Sequence, residues 1–196
     1  MGSARVNYRD LDNFRKEVAN KLSGQELNLF MESCSKALAR RLLERVIYLT
    51  PTGHPPKLQG GKTYKVKGKS GKTRSFLSAD AARIQQYWSG YEGGTLKRGW
   101  TGGRDEDPEV YANSLSVQHS GQTYTINITN NVEYASYVEF GHRQMVGRYV
   151  PALGKKLKQG WVNGKFMLTK SEDALRKEAP GALEKKLNKK LKEVFK

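Results

Sequence analysis

The sequence has very little of the chemistry that metals and redox cofactors need. Cys34 is the single cysteine among 196 residues, so an intramolecular disulfide is impossible and no cysteine-based metal cluster can form within one chain. The three histidines, His54, His119 and His142, lack the spacing of metal ligands. We therefore interpret them as solvated or packing histidines, and we expect neither a metal site nor a cofactor.

Long apolar runs and acidic side chains are also scarce. No apolar run approaches the ~20 residues that span a bilayer, and the first residues lack the apolar core of a signal peptide. We expect a soluble protein that is made in the cytoplasm, or packaged from it. The chain has 35 Lys and Arg residues against 19 acids, which gives a formal net charge of +16. This excess favours an anionic partner: nucleic acid, a membrane surface or an acidic protein.

No pattern of catalytic residues stands out either. Gly71-Lys72-Thr73 matches the end of a phosphate-binding loop, but the earlier glycine lies only three residues before Gly71 and no apolar strand precedes it. Asp105-Glu106-Asp107 is the only acidic cluster, and we interpret it as a solvated loop before Pro108. The sequence therefore predicts a protein that is not an enzyme and has no catalytic residues.

The apolar pattern that is present predicts helices at both ends of the chain. Residues 10–22 and 25–49 carry apolar side chains at helical spacing, and Thr50-Pro51 ends the longer helix. A short helix is expected over 79–88. Ser171 is a candidate N-cap, and Pro180-Gly181 interrupts the pattern, so a new terminal helix is predicted from Pro180 to Phe195.

The middle of the chain predicts strands. Thr95 to Trp100 is expected to begin the sheet, and residues 115–119 and 123–128 alternate around a tight turn at Ser120-Gly121. Residues 134–140 fit either a strand or a short helix. The predicted class is α+β, with an antiparallel sheet of about four strands flanked by two N-terminal helices and a C-terminal helix. We expect a single domain over 1–196 with basic loop insertions at about 53–93 and 144–160.

The first insertion has a strongly basic stretch. Seven Lys and Arg residues lie between Lys57 and Arg74, and no acid occurs from 54 to 79. A hairpin that turns at Gly68–Gly71 and a disordered loop are equally compatible with the pattern. The lysines either keep a solvated face soluble or contact phosphates without reading bases, because no sequence-specific DNA-binding motif is present.

Residues 132–143 combine aromatic, acidic and basic side chains. Glu139 lies among apolar residues, where it pairs with Arg143, pairs with a base of a neighbouring subunit, or simply faces solvent on an edge element. These three alternatives remain open at the level of the sequence.

Several of these motifs together resemble a known family. The long helix ending at Thr50-Pro51 is followed by a glycine, hydroxyl, leucine, base and aromatic pattern at Gly94–Trp100. A strand pair, Tyr134-Ala135 and Val138-Glu139-Phe140-Gly141 come next, and an aromatic-glycine-phenylalanine segment over 161–167 precedes a terminal helix. This order resembles the small neck and tail-completion proteins of tailed bacteriophages. The forty residues between Thr50-Pro51 and Gly94 depart from the family pattern.

The resemblance implies a structural virion protein. It implies a homo-oligomeric ring, with six subunits expected, at the head–tail junction. Such a ring completes the tail, joins it to the head connector, contacts tail-tube or tail-terminator proteins, and surrounds the DNA channel. The location implied is the neck or tail of the virion, after assembly in the host cytoplasm, with no membrane partner. The alternative function is a non-specific basic nucleic-acid-binding module.

The resemblance also implies roles for particular residues. Candidates for contact with DNA in the channel are Lys62, Lys65, Lys67, Lys69, Lys72 and Arg74. Candidates for the subunit interface are Glu139, His142 and Arg143. The structural anchors expected are Trp100, Tyr134, Phe140 and Gly141, with the aromatic rings of the 134–140 segment in the core.

Overall fold

A computed structural model describes residues 2–4, 16, 24–55, 63–67, 73–77 and 79–194. The helix predicted over 10–22 lies outside the described residues apart from Lys16, and so does the turn expected at Gly68–Gly71. The described part of the chain combines helices with short antiparallel strands, so the α+β class is confirmed.

The helices are numbered along the chain. They are α1 Gly24–Leu49, α2 Ala79–Tyr87, α3 Thr95–Arg98 with the 3-10 turn Gly99–Thr101, α4 Pro108–Ser114, α5 Ala135–Phe140 and α6 Met167–Val194.

The strands of the described residues form two-stranded antiparallel pairs instead of one continuous sheet of about four strands. They are β1 Gly2–Ala4, β2 Thr63–Lys67, β3 Thr73–Leu77, β4 Gln118–Ser120, β5 Thr123–Thr125, β6 Ile128–Asn130, β7 Gly141–Arg143, β8 Tyr149–Val150, β9 Lys155–Lys156 and β10 Trp161–Asn163. The pairs are β1 with β6, β2 with β3, β4 with β5, β7 with β10, and β8 with β9.

The chain divides into two compact units. The first unit comprises Met1–Pro51, Thr95–Phe140 and Gly164–Lys196, and the second unit comprises Thr52–Gly94 and Gly141–Asn163. The second unit therefore contains both segments that the sequence predicts as insertions. Two stretches separated by almost fifty residues along the chain belong to one unit.

The core of the first unit is built on α1, whose predicted bounds are confirmed to within one residue. One stripe of the helix is buried at helical spacing, as expected for an amphipathic helix, and comprises Leu27, Met31, Cys34, Leu38, Leu42 and Val46. This face packs against α4 and α6. The helix ends at Leu49, and the Thr50 hydroxyl donates to Val46 O at 2.6 Å, which satisfies one of the last carbonyls.

The segment after Gly94 is helical, which corrects the expectation that Thr95 begins the sheet. α3 and the 3-10 turn bury Leu96 and Trp100, and Gly102 ends the turn with φ +69. The apolar residues of so short a segment fit a helical turn and a strand alike, because periodicity needs more residues to distinguish them. Asp107 then caps α4, which the sequence analysis missed: its carboxylate accepts from Glu109 N at 2.8 Å.

The hairpin over β4 and β5 is confirmed, but its turn is Gly121-Gln122, one residue later than predicted, and its strands are shorter than 115–119 and 123–128. Ser120 pairs with Thr123 across a two-residue turn, and Gly121 has φ +58 there. A positive φ at this position suits glycine, as in tight hairpin turns.

The terminal helix α6 is continuous from Met167 to Val194, so the predicted break at Pro180 is wrong. Pro180 lies inside the helix, where it removes one intrahelical hydrogen bond but does not end the helix. Ser171 is not the N-cap. It is fully buried one turn inside the helix, and its hydroxyl donates to Met167 O at 2.6 Å.

In the second unit, β2 and β3 pair as the two strands of a hairpin. The sequence left a hairpin and a disordered loop open for the basic stretch, and its described residues form the hairpin. Tyr64 pairs with Phe76, and Val66 pairs with Arg74. The helix predicted over 79–88 is confirmed as α2.

Candidate functional surfaces

Glu139 joins α5 to the beginning of α6 within the first unit. Its side chain is 5% exposed, and its two carboxylate oxygens accept hydrogen bonds from the backbone of α6. Leu168 N donates to Oε2 at 3.0 Å, and Thr169 donates to Oε1 through its backbone N at 3.0 Å and its hydroxyl at 2.9 Å. The carboxylate therefore satisfies free amides at the positive end of a 28-residue helix.

The backbone reinforces this junction. Lys165 N donates to Val138 O at 2.8 Å, and Phe166 N donates to Glu139 O at 3.0 Å. Phe166 has φ +53, which is uncommon for a non-glycine residue and marks the tight turn into α6. A side chain at Gly164 would collide with the backbone of Glu139 and Phe140, so only glycine fits this close approach. We call this arrangement the α5–α6 junction.

The α5–α6 junction gives Glu139 a different set of partners from those expected from the sequence. Both of its carboxylate oxygens bind groups of its own chain, so this carboxylate positions α5 on α6. Contact of Glu139 with a neighbouring subunit stays a prediction. The periodicity of the sequence could not reveal these hydrogen bonds, because Thr169 lies 30 residues away.

The outer side of α5 carries exposed aromatic rings. Tyr134 is 44% exposed, and Tyr137 and Phe140 are each 57% exposed. Phe166, which bonds to α5 through its backbone, is 41% exposed. We call these four residues the aromatic face. The expectation that the rings of Tyr134 and Phe140 anchor the segment in the core is corrected: in a helix, Ala135 and Glu139 point inward instead.

Trp100 and Gly141, two further predicted anchors, have distinct environments. Trp100 is 3% exposed, and its indole Nε1 donates to Thr50 Oγ1 at 2.9 Å. Gly141 follows α5 with φ +86, a left-handed conformation typical of the residue after a helix end.

Residues 141–163 of the second unit form one long hairpin, which we call the basic arm. At its base, β7 pairs with β10 in the register Arg143 to Trp161, and at its tip β8 pairs with β9 in the register Tyr149 to Lys156. Gln144 N donates to Gly160 O at 2.9 Å between the two pairs. The segment that the sequence predicts as an insertion loop is thus hydrogen-bonded along most of its length.

A bulge lies in the middle of the basic arm. Gly147 N donates to Leu157 O at 2.8 Å, while Leu157 N donates to Arg148 O at 2.9 Å, so two residues lie opposite one. Gly147 has φ +84, which matches the β-bulge type that places a left-handed glycine first. Such bulges bend a strand pair and change the direction of the side chains that follow.

The tip of the basic arm is held by an aromatic cluster of the same unit. The indole Nε1 of Trp88 donates to Ala152 O at 2.7 Å. The ring of Trp88 packs edge-to-face against Tyr87 and Tyr91, with centroids 5.7 and 4.7 Å apart. These contacts restrain the turn at 151–154, so the arm is a preorganised element.

The charge of the protein is concentrated in the second unit. This unit carries 13 Lys and Arg residues against two acids, a net charge of +11 out of +16. The basic arm itself has no acid, and its five bases are all exposed: Arg143, Arg148, Lys155, Lys156 and Lys158. In the described part of the chain, the ion pairs link Arg40 or Arg45 to glutamates of the first unit.

The structure brings some of the other predicted site residues together. Lys65 and Lys67 lie on β2, and Arg74 lies on β3 of the same hairpin, whereas Lys62, Lys69 and Lys72 lie outside the described residues. His142 is half-buried on β7, with Nε2 at 3.5 Å from Gln144 Nε2, and the neighbouring Arg143 is exposed. The contact role of these residues stays a prediction.

The described residues offer neither a metal site nor a membrane-spanning helix. That part of the chain contains no group of three or more His, Cys, Asp and Glu residues that could hold a metal ion. None of its helices is both long and apolar enough to cross a membrane.

Comparison with known proteins identifies the family. Residues 12–141 match the HK97-gp10-like family model, described as "Bacteriophage HK97-gp10, putative tail-component". The matched residues include α1 and α5 and end at Gly141. Most of the basic arm and all of α6 therefore lie outside the matched residues. No curated protein and no solved structure matches the chain. Because the match covers about two thirds of the sequence, the chain belongs to the HK97-gp10-like family of bacteriophage tail components.

Proposed function

We propose that this tail component forms a ring at the head–tail junction, completes the tail and joins it to the head connector around the DNA channel. The partners are other copies of the chain, with six subunits as the expected number, the head connector, and tail-tube or tail-terminator proteins. The role is assembly, with no bond chemistry.

The observation that carries the proposal is the aromatic face, of which Tyr134, Tyr137 and Phe140 lie within the residues that match the family. Large aromatic side chains are enriched at protein interfaces. Tyr137 and Phe140 are largely exposed on α5, and the hydrogen bonds of Glu139 hold that helix in place. The rings therefore sit on a rigid support, which lowers the entropy cost of association.

His142 and Arg143, at the start of the basic arm in the second unit, remain the polar candidates for a subunit contact. Arg143 is exposed, so it is available to an acidic group of a neighbour. A ring requires two different surfaces that meet head to tail. The aromatic face supplies one of them, and its complement lies elsewhere on the next subunit.

Assembly tests this proposal directly. The purified protein should elute as a ring-sized species in size-exclusion chromatography with light scattering, and negative-stain micrographs should show closed rings. The double variant Tyr137→Ser/Phe140→Ser should be monomeric with an unchanged circular dichroism spectrum, because both side chains are largely exposed. It should also fail to complement a phage that lacks this gene.

Tyr48→Ser is the matched control, since Tyr48 is 83% exposed on α1 and lies outside the aromatic face. It should leave the rings intact. Rings that survive the double variant would exclude the aromatic face as the contact. A wild-type protein that stays monomeric and binds nucleic acid would favour the alternative, a basic nucleic-acid-binding module, which the charge of the second unit supports.

A further inference from the structure

We infer that the basic arm is a binding site for duplex DNA, which contacts phosphates on both strands without reading the base sequence. The inference rests on the proposed function for its place in the virion. It deepens that function by assigning DNA contact to a second segment, in addition to the candidates on β2 and β3. Its in vitro test does not require a ring, so the two proposals fail separately.

The first argument is charge that forms no ion pair among the described residues. Arg148, Lys155, Lys156 and Lys158 are exposed, and no acid occurs from Gly141 to Lys170. None of these four side chains belongs to the ion pairs of the described residues. Bases that are neither paired nor buried are free to neutralise phosphates, and each contact releases condensed counterions.

The second argument is shape. The major groove of B-form DNA is about 12 Å wide and admits a two-stranded β-ribbon. The basic arm is such a ribbon, because β8 and β9 pair with each other and with no third strand of the described residues. Its bases occur on both strands of the ribbon, with Arg148 on one side and Lys155 and Lys156 on the other. Bases along both edges of a ribbon can reach the phosphates on either side of a groove.

The third argument is rigidity. The indole of Trp88 holds the tip through Ala152 O, and the bulge at Gly147 fixes the bend of the arm. A preorganised arm loses less conformational entropy on binding than a flexible basic tail does.

An acidic protein surface is the competing occupant, and net charge favours DNA over it. The second unit carries +11, whereas a typical protein patch offers few uncompensated acids. A duplex carries one negative charge per about 1.7 Å of axis, so it can neutralise many bases at once.

The test measures binding of a 30-base-pair fluorescent duplex by anisotropy, over a range of salt concentrations. The arm variant replaces Arg148, Lys155, Lys156 and Lys158 by Gln. Its control replaces Lys177, Lys185, Lys189 and Lys192 by Gln, four exposed bases of α6 with the same change in charge. The arm variant should bind at least about tenfold more weakly at 0.1 M salt, with a log–log salt slope smaller by about 2 to 4.

The control should lose much less affinity, and two duplexes of different sequence should bind equally. Equal losses of DNA affinity in the two variants would mean that binding depends only on the total charge of the protein, which overturns the inference. An arm variant with unchanged DNA affinity would also overturn it. If that variant instead loses binding to poly-L-glutamate, the arm belongs to an acidic protein partner. Size-exclusion chromatography of both variants shows separately whether ring assembly survives.

Discussion

Trp100 and Thr50 are joined by a buried hydrogen bond across fifty residues of sequence. The indole Nε1 donates to Thr50 Oγ1 at 2.9 Å, and the same hydroxyl donates to Val46 O at 2.6 Å. Thr50 is 2% exposed, so one hydroxyl satisfies an indole and a helix carbonyl away from water. The end of α1 is thereby fixed to the 3-10 turn that begins the central part of the first unit.

Thr50→Val should therefore destabilise the protein more than its small change in shape suggests. It leaves the buried indole N–H without an acceptor, at a cost of about 1–3 kcal/mol. Urea denaturation followed by tryptophan fluorescence measures the loss. Thr50→Ser keeps the hydroxyl and should stay close to wild type; a Thr50→Val variant as stable as the wild type would mean that the hydrogen bond does not contribute.

Glu139→Ala should lower the free energy of unfolding by about 2–4 kcal/mol, because it removes the charged acceptor of the α6 amides. Glu139→Gln keeps one acceptor oxygen and should cost less. Chemical denaturation at low protein concentration, where subunits are dissociated, measures folding apart from assembly. Unchanged stability together with lost rings would instead support a direct interface role for Glu139.

Burial raises the pKa of the Cys34 thiol from 9.0 to about 11, with the nearby Lys186 opposing this shift. At pH 8 the thiol stays protonated, so a thiol reagent should react only as fast as the protein opens. Because the folded pKa is raised, the associated stability is present below pH 9 and is lost as pH rises towards 11.

Cys34→Ala isolates this contribution from the lysines and tyrosines that titrate in the same range. The wild type should lose about 2 kcal/mol more than the variant between pH 9 and 11, as measured by denaturant titration at each pH. Parallel curves for the two proteins would show that the thiol does not take part. Fast modification of Cys34 at pH 8 under native conditions would contradict its burial.

Gly147→Ala should weaken DNA binding without affecting the first unit. Alanine at φ +84 is strained by about 1–2 kcal/mol, which favours loss of the bulge and a different direction for Arg148. Gly160→Ala is the control, since only Val146 approaches its added methyl, at 3.8 Å. Equal anisotropy curves for wild type and Gly147→Ala would show that the bulge does not shape the binding site.

The long helix and the β4–β5 hairpin could be predicted because their signals are local. α1 has an apolar stripe at helical spacing over seven turns and ends before a proline, and Gly121 marks a turn between alternating residues. Asp107-Pro108-Glu109 also contained a readable signal for α4, a capping acid followed by proline at the first helical position. The family resemblance likewise rested on residues near one another in the chain.

Short elements could not be assigned in this way. The residues of α3 and α5 fit a strand or a helix equally well, so tertiary packing decided between them. Tertiary packing also explains why α6 continues through Pro180. Its neighbours Ala179 and Leu183 are buried in the core, and this packing outweighs the single hydrogen bond that proline removes.

By itself, the sequence determined the α+β class, the net charge, the lack of cysteine pairs and the membership of a phage tail family. Only the tertiary structure placed Glu139 under the start of α6 and assigned the two insertions to one unit. The physical reason is that composition and periodicity describe neighbours along the chain. The partners of Glu139 lie tens of residues away from it in the sequence, and the two segments of the second unit are separated from each other by a similar stretch. Only folding brings them together.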